Sequence, residues 1–139
     1  MKIWIMEQIR LVLQREGCSL AVIFGSFLEE GRRFRDIDVM VAMEAGRAPT
    51  LGELLHLAQL LEKETGYRFD VVGVDIPGIL IRAEIARKGQ PIIVEDSENW
   101  VEFQIRALLD EMDFRPLIER FYEERFGIEC RRSECLRRS

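Results

Sequence analysis

The sequence is poor in the residues that staple or ligate. In 139 residues it holds three cysteines, Cys18, Cys130 and Cys135, and a single histidine, His56. An odd count, with one cysteine near the first apolar segment and two in a charged tail, does not make a disulfide framework. Cys130 and Cys135 also lack the second ligand pair that a structural zinc requires. The four prolines are scattered singly, so no linker or low-complexity tract divides the chain. Apolar runs are short as well: none approaches the roughly 18 residues of a membrane span. "MKIWIMEQIR" places Glu7 and Arg10 where a secretory apolar core would continue, so a cytoplasmic location is expected. Positive charge is not in excess either. A net charge of −5 argues against a general polyanion binder, and direct nucleic-acid binding is not expected.

What the chain does have is an ordinary globular balance, 47% apolar and 32% charged, enough for one core. Ile5, Met6, Ile9, Val12 and Leu13 fall at helical spacing before Gly17. "SLAVIF" (19–24) and "IDVMVAM" (37–43) read as apolar strands separated by a charged loop. Thr50 with Glu53 forms a capping box for a helix whose stripe is Leu51, Leu54, Leu55, Ala58 and Leu61, ended by Gly66. "YRFDVVGV" (67–74) reads as a third strand, and Pro77 opens a helix that closes at Gly89. "QPIIVED" is a fourth strand, placed at an edge because Pro91 has no amide hydrogen. From Ser97 a helix carries Val101, Ile105, Leu108, Leu109 and Met112 on one side; Pro116 is expected to break or kink it before "LIERFYEERFG" resumes. The pattern is an α/β (α+β) domain with about four strands and a helical C-terminal extension. It spans residues 1–127, and a basic tail at 128–139 reads as a solvated end.

Chemistry concentrates where acids interrupt apolar strands. Asp36 and Asp38 flank one isoleucine and so project to the same face, and Asp70 lies within the third strand. If the second and third strands are neighbours, the three carboxylates converge, and hard oxygen donors of this kind suit Mg²⁺ together with substrate phosphates. Gly25-Ser26, at the end of the first strand, supplies a tight turn with a hydroxyl and amides for a phosphate. Structural alternatives stand beside this. The pair can be salt-bridged by Arg32, Arg33 or Arg35, Asp70 can be a buried ion pair, and Asp75 is read as a turn residue. His56 is read as a solvated helix residue, and Trp4, Trp100, Phe103, Phe121 and Tyr122 as packing residues. A surplus of large apolar groups on the C-terminal helices would mark a partner surface.

Strand, Gly25-Ser26, loop, Asp36-x-Asp38, strand and then a later strand acid resembles the nucleotidyltransferase fold of the DNA polymerase β superfamily. "FDVVGVD", "LIRAEIARKGQPIIVED" and "LLDEMDFRPLIERFYEERF" extend the likeness to the minimal nucleotidyltransferases that serve as antitoxins of HEPN toxins. That resemblance implies a small mixed sheet flanked by helices and a protein adenylyltransferase. Such an enzyme moves AMP from ATP, with two Mg²⁺ ions, to a tyrosine of a partner HEPN ribonuclease bound in a hetero-oligomer. Carried over by position, Gly25 and Ser26 hold the triphosphate, Asp36 and Asp38 bind the metals, and Asp70 binds metal and acts as base. The alternative it leaves is an antitoxin of weak or no activity that neutralises by binding alone. The loop Phe27–Arg35 departs from the family pattern, with Glu29 and Glu30 before Gly31 and Arg35 in place of a serine.

Overall fold

The computed structural model describes residues 2–31 and 33–126. In chain order the elements are α1 (Lys2–Arg15), β1 (Leu20–Phe24), a 3₁₀ turn (Gly25–Leu28), β2 (Asp36–Ala42), α2 (Leu51–Thr65), β3 (Arg68–Gly73), α3 (Ile79–Lys88), β4 (Gln90–Val94) and α4 (Ser97–Phe126). The strands form one sheet in the order β3-β2-β1-β4. β1 runs antiparallel to both β2 and β4, whereas β2 and β3 are parallel. Parallel neighbours need a crossover, and α2 supplies it. β1 is central and covered on both faces, so all five of its residues are buried and its sequence shows no alternation.

Alternation elsewhere sorts the side chains into two cores. Ile37, Val39, Val41, Phe69 and Val71 pack with Ile5, Ile9 and Leu13 of α1 and Leu57 and Leu61 of α2. Val22, Phe24, Met40 and Ala42 pack the opposite face against Ile85 and Ala86 of α3 and Phe103 and Ala107 of α4. α2 begins at the expected capping box, in which Thr50 Oγ1 accepts from the Glu53 amide and the Glu53 carboxylate accepts from the Thr50 amide, and ends at left-handed Gly66. Pro91 lies on edge strand β4, as its missing donor demands. Polar contacts also tie the α3–α4 seam: Glu111, 2% exposed, receives Arg87 and Arg115, and Gln104 donates to the Ala86 carbonyl.

Several expectations about helix faces are corrected. In α2 the buried residues are Leu57 and Leu61, while Leu51 and Leu55 face solvent. Leu54, Ala58 and Leu61 do face the core as read in the sequence; the inward stripe gains Leu57 and leaves out Leu51 and Leu55. α4 runs unbroken through Pro116. The carbonyl that Pro116 leaves without a helical donor belongs to Met112, on an exposed turn where water can serve it. Trp4 and Phe121, read as packing residues, are exposed, as are Val101, Ile105, Leu109 and Met112. Of the apolar side of α4 seen in the sequence, only Leu108 packs inward; Phe103, Ala107 and Glu111 form the buried side of the helix. Helical period reveals that a face is apolar but not what it meets. A groove of ≈ 480 Å³ with Val101 and Ile105 in its floor runs along this outer face. Arg32, the side chain of Tyr122 and the tail with Cys130 and Cys135 lie outside the described residues.

Candidate active site

The parallel β2–β3 ladder decides where the acids go. Asp38 is in register with Asp70, and Asp36 with Arg68. Cross-strand partners in a parallel ladder share a face, and neighbouring strands lie about 4.8 Å apart. Asp36, Asp38 and Asp70 therefore stand together on the α3/α4 side of the sheet, beyond the apolar run of Met40 and Ala42. Asp36 and Asp70 are exposed and Asp38 is half-buried. Glu84 of α3 adds a fourth negative charge to the field at Asp38.

The Gly25 turn closes the site from the β1 side. Phe24 is in register with Asp38, so the chain turns directly beside that carboxylate. Gly25 has φ +82°, a left-handed conformation that side chains resist. A β-carbon there would collide with Asp38 Oδ2 and lie 3.3 Å from its Cγ. Glycine is thus demanded twice, by conformation and by space. Ser26 follows in the 3₁₀ turn, half-buried, and its carbonyl accepts the Glu29 amide at 3.1 Å.

Aromatic side chains that sequence reasoning passed over hold this loop. Phe27 is fully buried and meets Phe34 edge-on with ring centroids 4.9 Å apart. Phe34 in turn meets Tyr67, just before β3, at 5.7 Å. Lys2 Nζ donates to the Glu29 carbonyl at 2.9 Å and sits over the Phe27 ring. The two ends of the loop are pinned to each other and to the strand that carries Asp70. Two phenylalanines bracketing a charged loop were the available signal.

Burial first, then the negative charges of Asp70, Asp36 and Glu84, push the Asp38 carboxyl up to about 6. Among the described residues no arginine or lysine forms an ion pair with Asp36, Asp38 or Asp70, so the salt-bridge reading with Arg33 or Arg35 is not realised. Asp75 lies in the turn after β3, and His56 is an exposed helix residue hydrogen-bonded to Glu16 at 2.9 Å. Among the described residues no three acidic, histidine or cysteine side chains close into a ready-made metal cage. An all-oxygen set of uncompensated carboxylates still fits Mg²⁺, which takes only one or two protein carboxylates and completes its shell with water and phosphate oxygens. Among the described residues no helix is long and apolar enough to cross a membrane.

Solved structures of low sequence identity share this fold. A toxin–antitoxin structure with AMP-PNP matches with TM-score 0.71 at 15% identity, over 86% of this chain and 96% of that one. A tri-AMPylated Shewanella oneidensis HEPN toxin in complex with an MNT antitoxin matches with TM-score 0.71 at 15% identity, over 89% of this chain and 98% of that one. An MntA–HepT toxin–antitoxin structure matches with TM-score 0.68 at 14% identity, over 87% and 96%. No curated protein matches the chain. The family described as polymerase beta, nucleotidyltransferase matches residues 7–98, which takes in β1, the Gly25 turn, β2 and β3. With that match over most of its length, this chain belongs to the polymerase beta nucleotidyltransferase family.

Proposed function

We propose that this protein is a Mg²⁺-dependent adenylyltransferase that modifies a hydroxyl of a HEPN-type partner protein, acting as the antitoxin of a toxin–antitoxin pair. One observation carries the reading: Asp38 and Asp70 are in register on one face, with Gly25 packed directly against Asp38. Asp36 and Asp38 would hold the metal. When bound, the metal supplies neutralisation of phosphate charge at the reacting centre. Gly25 leaves room for backbone approach, and Ser26 offers its hydroxyl and amide to the triphosphate. Asp70 takes the proton of the acceptor hydroxyl. The acceptor oxygen then bonds to the α-phosphorus in line, the bond from that phosphorus to the bridging oxygen breaks, and pyrophosphate leaves with its electron pair. Adenylate is the group proposed because related folds are described with AMP-PNP and as a tri-AMPylated complex.

A second reading, neutralisation by binding alone, is favoured by the exposed apolar side of α4, Val101, Ile105, Leu109 and Met112, which offers a protein-binding surface apart from the acids. The test incubates the full chain with ATP labelled at the α-phosphate, Mg²⁺ and the protein encoded by the neighbouring gene. Label on that protein, lost with Asp36→Asn and with Asp38→Asn, supports transfer. Inhibition of the neighbour's ribonuclease activity that survives both substitutions, with no label in either, refutes transfer and leaves masking.

A further inference from the structure

The four strands contain only four charged residues: Asp36, Asp38, Arg68 and Asp70. The parallel register gathers all four into a two-by-two block on one face, with Asp36 beside Arg68 and Asp38 beside Asp70. Among the described residues Arg68 is thus the one cation built into the sheet, and it shares the face of the acids. Opposite charges directly across a ladder ordinarily pair. Arg68 is exposed, however, and its side chain makes no hydrogen bond or ion pair with Asp36 or with any other described residue. Two arginines of α3 are committed elsewhere: Arg82 donates to the Val74 and Ile76 carbonyls and covers the Phe103 ring, and Arg87 is bonded to Glu111. Arg33 and Arg35 stand in the loop before β2, outside the sheet.

Position narrows what Arg68 could meet. It opens β3, an edge strand with β2 as its neighbour in the sheet. It therefore lies two strand spacings, about 10 Å, from the β1 end where Gly25-Ser26 would take the triphosphate. Arg68 thus stands across the acids from Gly25-Ser26, two residues before Asp70 on the same face, which in the transferase reading is the side left for the acceptor. Its planar fork of donors matches phosphate oxygens in a bidentate manner.

We infer that Arg68 binds a phosphate group on the acceptor side of this site, an inference that rests on the transferase reading. Two sources offer that chemistry. One is the α-phosphate of the nucleotide while it is transferred. The other is the phosphodiester of an adenylate already on the acceptor: a hydroxyl of its ribose gives its proton to Asp70 and bonds to the α-phosphorus of a second ATP, while the bond from that phosphorus to the bridging oxygen breaks and pyrophosphate leaves with the electron pair. Recognition of the second kind would make Arg68 a determinant of repeated addition.

The experiment compares wild type, Arg68→Ala and Arg68→Lys as full chains with Mg²⁺, ATP and the neighbour-encoded protein, counting added adenylates by intact mass over time. Thermal unfolding is measured alongside. If the α-phosphate is the ligand, Arg68→Ala slows the first addition by about ten- to a hundredfold with Arg68→Lys in between. If the attached phosphodiester is the ligand, the first addition is unchanged and later ones fall by that factor. Calorimetric binding of AMP with Mg²⁺ needs no acceptor, and Arg68→Ala is expected to weaken it about tenfold. A wild type that labels nothing but loses AMP affinity on substitution removes the transferase reading and keeps the phosphate site. Wild-type rates for every addition together with unchanged AMP affinity in Arg68→Ala overturn the inference, as does a loss explained wholly by a lower unfolding temperature.

Discussion

Replacing Asp38 with asparagine removes one charge from the most crowded point of the acidic face, and the free protein should become more stable at neutral pH. Burial and the charges of Asp70, Asp36 and Glu84 raise the Asp38 carboxyl from 3.8 to about 6. A folded pKa above the unfolded one means that the native state holds extra proton between about pH 4 and 6. Stability therefore falls as pH rises through that window, and the full penalty is present at pH 7. A rise of that size corresponds to about 3 kcal/mol at most. Asp38 keeps partial access to water, and screening reduces this to about 1–2 kcal/mol. For a domain of this size that is about 4–8 °C in unfolding temperature. Circular-dichroism melts of wild type and Asp38→Asn between pH 4 and 7.5, without divalent ions, should diverge progressively above pH 4. Added Mg²⁺ should then raise wild type more than the variant, because only wild type keeps the full carboxylate set. An asparagine variant no more stable than wild type at pH 7.5, or a gap of equal size at pH 4, would refute the electrostatic reasoning.

Gly25→Ala should place a β-carbon against Asp38 in a left-handed conformation, costing about 1–2 kcal/mol in urea unfolding and abolishing ATP binding measured by calorimetry. Asp70→Asn should cut adenylate transfer by about a hundredfold or more while leaving ATP affinity within a fewfold, a split read from steady-state kinetics. Phe34→Ala removes the ring that links Phe27 to Tyr67 and should cost about 1–3 kcal/mol while raising KM for ATP more than lower thermal stability alone would explain. Arg87→Ala leaves the Glu111 carboxylate without its principal partner. Hydrogen bonding from Arg87, with further help from Arg115, holds that carboxyl below its ordinary range, so the contribution is present at neutral pH and fades as pH falls below about 4.5. The loss expected at pH 7 is about 1–3 kcal/mol by denaturant titration, and Glu111→Gln in the same background should recover part of it.

The elements were legible because each carried its own local signal. The Thr50–Glu53 capping box, the unalternating β1 and proline-bearing β4 are stated by neighbouring residues and were found where expected. So was the acidic triad, since alternation places Asp36 and Asp38 on one face and the interruption of an apolar strand marks Asp70. Which face of a helix meets the core is a different kind of fact. Leu51, Leu55, Val101 and Ile105 satisfy helical period, yet neighbouring positions win burial because the sheet presents itself from that side. Arg68 and Glu84 were missed for a related reason: their nearness to the acids depends on strand register and on how α3 packs, neither of which is written in adjacent residues. Pro116 does not break its helix because a helix at the surface can lend its orphaned carbonyl to solvent.

The parallel pairing of β2 with β3 makes the site's arrangement a matter of parity. Phe69 and Val71 are buried between the sheet and the helices α1 and α2, so the residues on either side of them have no choice of direction. A single residue lost between Gly66 and Phe69 could not shift Asp70 slightly; it would either strain the short connection or invert the strand, sending a carboxylate into one core and a phenylalanine into water. Chemistry and folding therefore read the same register, and the chain cannot drift away from one while retaining the other.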